Sequence, residues 1–222
     1  MVRGRPSQHS WSQVADIAGY EAANDPDHAG PDSNPNSVAA MSSGRAVADA
    51  GGNTLLWVAA NGAMSTLAVF PNRLVDAPPF LGLPPGTQIP MQAVPTSVVR
   101  GPDGAYYVGQ LTGFPFPQGA ARVYRVVPGQ APTIYAQGFT NIIDIGFSSD
   151  GTLYVLEIAH NGLLSGDPTG ALIRVGPDGS HHIVMSNGLI FPGGLALRGG
   201  AAYVSNCGVC AGAGAVLRVP LG

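Results

Sequence analysis

The feature that most constrains this chain is a phrase it writes four times. "NPNSVAAMSSGRAVADAGGN" from Asn34, "VPTSVVRGPDGAYYVGQLTG" from Val94, "NIIDIGFSSDGTLYVLEIAH" from Asn141 and "FPGGLALRGGAAYVSN" from Phe191 share one layout. A short apolar strand runs into a glycine-bearing turn, and a second apolar strand leaves it. The aligned glycines are Gly44, Gly104, Gly151 and Gly200, followed by strands reading "AVA", "YYV", "LYV" and "AYV". Asp-Gly between apolar runs is a strong hairpin signal, because such turns demand a positive φ. Each unit therefore opens as a β-hairpin.

A third strand follows each hairpin after a variable loop, as "LLWVAANG", "VYRVVPG", "LIRVGPDG" and "VLRVPLG". The first three units add a fourth, "STLAVF", "PTIYAQ" and "HHIVMS", and the last does not. The glycines are 47 residues apart from Gly104 to Gly151, 49 from Gly151 to Gly200 and 60 from Gly44 to Gly104. Four antiparallel strands at such a period read as propeller blades rather than as a helical solenoid. The proline-rich stretch from Pro71 to Ala93 explains the long step as an excursion between blades.

The expected fold is thus all-β, a β-propeller of four-stranded antiparallel blades with about four blades present. They cover residues 34–71, 94–140, 141–190 and 191–222, with a proline-rich insertion at 72–93. Residues 1–33 form an N-terminal segment, the end of a preceding blade plus a loop. Within it "WSQVADIAGYEAANDPD" reads as a short helix or a frayed strand, with Trp11, Val14 and Ile17 or Ala18 near helical spacing. Propellers hide their sheet edges by closing into a ring. The last unit lacks a strand, so the closing strand comes either from the N-terminal segment or from residues outside this chain; in the second case the expectation is an open partial ring that self-associates through its edge.

Composition narrows the partners. A formal net charge of -3 and a pI near 5.9, with no lysine in the chain, exclude a basic nucleic-acid surface. No apolar run reaches the roughly 18 residues of a membrane helix, and the first 20 residues lack the apolar core of a signal peptide. No G-x-S-x-G, H-E-x-x-H or phosphate-cradling glycine loop is present. Cys207 and Cys210 lie between a strand and a glycine linker, a poor setting for a redox C-x-x-C, and read as free or locally bridged loop residues. His181 and His182 are adjacent in a strand and point to opposite faces, which disfavours a shared metal.

At "GPDGAYYVGQLTGFPFP", "DSNP" with "DAGGN", and "WSQVADIAGYEAAND" the chain resembles the ScyD/ScyE family, and the resemblance covers nearly its whole length. That resemblance implies a six-bladed, TolB-like, exported propeller with no established enzymatic activity. It also implies that this chain is a C-terminal portion, without the signal peptide and first blades of such a member.

Binding groups on a propeller gather on the loops of one face. The candidates there are Asp32, Asn34, Asn53, Thr112, Phe114, Phe116, Asn141, Asn161 and Asn206. Phe114 and Phe116, held by prolines, make either a platform for a flat ligand or a cover for the end of the core. Oxygen ligands converging on an axis are what Ca²⁺ requires, and the candidates for that role are Asp49, Asp144 and Glu157. Against it stands the ordinary use of Asp and Asn as turn caps, weakest for Glu157 because it follows "LYVL" in a strand. The leading reading is a non-enzymatic, extracytoplasmic propeller that binds a small molecule or a protein partner through its loop-rich face. The alternative is a metal-dependent hydrolase or lactonase, or a lyase, of SMP-30-like propeller type.

Overall fold

A computed structural model describes residues 1–5, 7 and 9–221. Three four-stranded antiparallel sheets and one three-stranded sheet follow one another along the chain. Blade one is β3 (Pro35–Ala40), β4 (Gly44–Asp49), β5 (Thr54–Ala59) and β6 (Met64–Val69). Blade two is β9 (Pro95–Arg100), β10 (Tyr106–Gln110), β11 (Ala121–Val126) and β12 (Thr133–Phe139), and blade three is β13 (Ile142–Phe147), β14 (Leu153–Glu157), β15 (Ala171–Val175) and β16 (His181–Met185). Blade four has β17 (Gly194–Arg198), β18 (Ala201–Asn206) and β19 (Ala215–Pro220). The first strands meet in the order β3, β9, β13, β17, so they are the inner strands of an arc of blades.

Blades one to three are covered on both sides, and the sequence shows how. Along β14, Leu153 and Val155 face the cluster shared with blade two, whereas Tyr154 and Leu156 face the one shared with blade four. Along β10, Tyr107 turns to blade three and Val108 to blade one. Period-two alternation therefore appears as a continuous apolar run, because both faces are buried. The side of blade one away from blade two is covered by the N-terminal segment, with Ala15 and Ile17 on Val47, Leu56 and Val58.

That segment holds both structures the sequence left open. Trp11 lies in a short strand, β2 (Ser10–Gln13), paired with β1 (Val2–Arg5), and is 73% exposed. Helix α1 (Ile17–Asn24) begins after Asp16, whose side chain accepts the Gly19 N–H, and ends at Asp25 in the left-handed region. The proline-rich insertion carries a small hairpin of its own, β7 (Arg73–Asp76) with β8 (Gln88–Met91).

Three of the four aligned glycines sit in turns with positive φ, Gly104 at 82°, Gly151 at 86° and Gly200 at 70°. Gly44 does not. It is the first residue of β4, and a Cβ there would collide with the Trp57 ring and the Val58 carbonyl. Spacing alone cannot separate a turn glycine from one that permits close approach.

Candidate functional site

The loops after β4, β10, β14 and β18, and the lead-ins to β9, β13 and β17, share one end of the arc. One device recurs there. The last side chain of the second strand reaches back and accepts a backbone N–H at the lead-in to its own blade. Asp49 takes the Asn34 N–H at 2.6 Å, Glu157 the Thr140 N–H at 2.6 Å and Asn206 the Ile190 N–H at 2.7 Å. Gln110 holds the equivalent place in blade two and receives Arg73 from the insertion instead, at 3.5 Å.

A second device ties blade to blade. Ser37 Oγ accepts the Val98 N–H at 3.2 Å, and Asp144, at the matching place two blades on, accepts the Leu195 N–H at 2.7 Å. Burial pushes the Asp144 carboxyl up to about 6, against the lowering effect of the Leu195 and Ile145 N–H groups.

Asp49, Asp144 and Glu157 are therefore employed separately. The two oxygens of Asp49 accept from Ser33, Asn34 and Gly52, those of Asp144 from Ile145 and Leu195, and those of Glu157 face Thr140 and His160. Among the described residues they form no set of three ligand atoms within 4.8 Å of one another. As one metal centre they do not fit this arrangement, and no reaction step is drawn through a metal held by them.

The remaining candidates divide by burial. Asn53 and Asn141 are fully buried with φ of 49° and 48°, a conformation Asn tolerates. Asn53 accepts the Val94 N–H of blade two and donates to Asp27, while Asn141 donates to the Leu111 carbonyl and accepts the Leu163 N–H. Thr112 is buried with φ of 76°, and its hydroxyl has no partner. Asp32, Asn34 and Asn161 are exposed. Asn161 is held by Asp167, and its carbonyl receives Gln118 from the aromatic loop at 2.7 Å.

That last bond sets "TGFPFPQG" of blade two beside the loop after β14 in blade three. Phe114 is 41% exposed and meets Phe116 and Phe80 edge-on, each with ring centroids 6.3 Å apart. The rings form a partly open apolar wall rather than a lid on the core. On the blade-three loop that Gln118 reaches, Nδ1 of the half-exposed His160 faces Glu157, which is 1% exposed. Burial drives the Glu157 carboxyl upward, while His160 and the Thr140 N–H pull it down. A carboxylate held in this way orients its histidine through Nδ1 and does not engage Nε2. His160 lies three residues after Glu157 in "EIAHNG", a spacing that by itself marks no catalytic motif. At the far end of the face, Cys207 and Cys210 are joined by a disulfide.

No family profile and no curated protein sequence matches the chain. Among solved structures it is similar to a structural-genomics target assigned as a gluconolactonase, at 17% identity and a TM-score of 0.50, over 80% of this chain and 59% of that one. It is similar also to a gluconolactonase from Xanthomonas campestris, at 14% identity and a TM-score of 0.51, over 79% of this chain and 53% of that one. The chain thus spans little more than half the length of these relatives. The likeness establishes the β-propeller fold. It also goes against the leading expectation of a non-enzymatic scaffold, since the similar propellers bear the names of enzymes.

Proposed function

We propose that this arc of blades carries the acid–base site of a propeller hydrolase that opens cyclic esters. The observation that carries the reading is the His160–Glu157 pair, a half-exposed imidazole whose Nδ1 is engaged by a buried carboxylate on the loop-rich face. In the proposed reaction His160 Nε2 takes a proton from water as the water oxygen bonds to the lactone carbonyl carbon. The ring C–O bond then breaks, and the imidazolium returns that proton to the departing ring oxygen, giving a hydroxy acid. Glu157 is a positioning residue, since it acts through the imidazole. Phe114 and Phe116 supply an apolar wall for the substrate, with Asn161 at its rim.

The finer family assignment belongs to the same proposal. "LTGFPFP" and "DSNP" with "DAGGN" support the ScyD/ScyE resemblance, and the Cys207–Cys210 bridge supports an oxidising, extracytoplasmic compartment. The test is hydrolysis of an aromatic lactone such as dihydrocoumarin. Turnover is expected to fall at least ~100-fold in His160→Ala, within the span of a positioned acid–base group. Glu157→Gln is expected to displace the pH profile rather than only lower its height. Turnover no greater than the spontaneous rate, or unchanged in His160→Ala, overturns the reading.

A further inference from the structure

A second buried carboxylate lies on the same end of the molecule, and it has no partner at all. Glu21, near the end of α1, is 1% exposed, and neither of its oxygens meets a hydrogen-bond donor. Burying a charge in this way is unfavourable unless something compensates it. No ion pair among the described residues does so.

The surroundings deepen the imbalance. One oxygen each from Glu21, Asp25 and Asp27 lies within 4.8 Å of the others. Asp49 and Asp32 add their fields to those of Asp25 and Asp27. The group also sits by the C-terminal end of α1, where the helix dipole is negative and favours a cation.

The loop architecture presents these oxygens rather than hiding them. Asp25 caps the helix in the left-handed conformation, and its Oδ1 takes the Gly30 N–H at 3.1 Å, which fixes the start of the loop. Asp27 is held by the Ala29 N–H and by Asn53 of blade one. Gly52 lies beneath, where a Cβ would come within 2.7 Å of the Glu21 carboxyl. Only glycine lets the backbone of "DAGGN" approach so closely.

The geometry points to a divalent cation site formed by Glu21, Asp25 and Asp27, with calcium as its ion. All three ligands are hard carboxylate oxygens, the donors of Ca²⁺ and Mg²⁺ rather than of softer metals. An irregular set of protein carboxylates suits calcium, whereas magnesium demands near-octahedral geometry and keeps several of its waters. A bound ion would tie α1 and its loop to blade one through the carboxylate that otherwise has no partner.

The test is calorimetric titration of the EDTA-treated chain with calcium chloride, alongside thermal unfolding. We expect one calcium per chain and a raised unfolding midpoint. Glu21→Gln is expected to weaken calcium binding at least tenfold while raising the midpoint of the metal-free protein, a pair of opposite effects that misfolding does not produce. Asp25→Asn is expected to weaken calcium binding as well. Calcium bound to Glu21→Gln as tightly as to the unsubstituted chain, or a midpoint that ignores millimolar calcium, overturns the site. An equal response to magnesium overturns the choice of ion.

Discussion

The loop ends of blade one and blade three carry the same parts and resolve them differently. Each ends its second strand in an acidic residue that caps the lead-in, Asp49 or Glu157, and each has a fully buried Asn in the left-handed region, Asn53 or Asn141. In blade three the buried carboxylate is met by a backbone N–H and an imidazole, and Asn141 serves only backbone groups. In blade one Asn53 is drawn toward Asp27, and Glu21 lies over the loop with no donor. Equal burial thus marks a completed hydrogen-bonded unit in one place and an uncompensated one in the other.

The strongest way to break that comparison is to remove both carboxylates. Glu157→Leu leaves the buried Thr140 N–H unpaired and is expected to destabilise the chain by about 3 kcal/mol. Glu21→Leu, which deletes a charge without a partner, is expected to be neutral or stabilising in EDTA. Urea unfolding of the two variants measures the difference, and equal costs would erase the distinction between the two loop ends. A smaller effect separates the asparagines. Asn53→Asp and Asn141→Asp each bury a carboxylate against a carbonyl oxygen, but only the first also faces a second carboxylate, Asp27, and it is expected to cost about 2 kcal/mol more.

The smallest effect is a pH dependence. The folded Asp144 carboxyl is raised from 3.8 to about 6, so the native state binds the proton more tightly than the unfolded one. Its stabilising contribution is therefore complete below about pH 4 and is lost as the pH rises from there through about 6. Asp144→Ser reproduces the link that Ser37 makes to Val98, and is expected to flatten this part of the profile in thermal melts at pH 4 and pH 7.

The sequence carried the blade pattern because strand, turn and strand must recur at each repeat, and Asp103-Gly104 and Asp150-Gly151 announce two of the turns. It did not carry the side-chain employment. Asp49, Asp144 and Glu157 look alike as acidic residues near strand ends, yet one caps a loop, one joins two blades and one holds a histidine. Which role each takes depends on which N–H the next blade presents, a tertiary fact with no local signal. Glu21 was missed for another reason. "NDPD" reads as a generic turn, and the informative spacing, a glutamate four and six residues before two aspartates, becomes visible only when the helix brings them together. The expectation of a scaffold rested on a family resemblance that carried no activity, not on any residue.

The links from Ser37 to Val98, Thr96 to Ile142 and Asp144 to Leu195 each reach one blade onward. A chain joined in this way behaves as a short linear lattice, in which stability is a sum of nearest-neighbour couplings. Blades two and three each have two flanking neighbours and form its cooperative centre. Blade four, whose Val216 is 71% exposed, hangs from Asp144 and the apolar seam with blade three. Melting of such a lattice begins at its margin and moves inward, so the loop that bears His160 stays ordered only as long as the blade beside it remains docked.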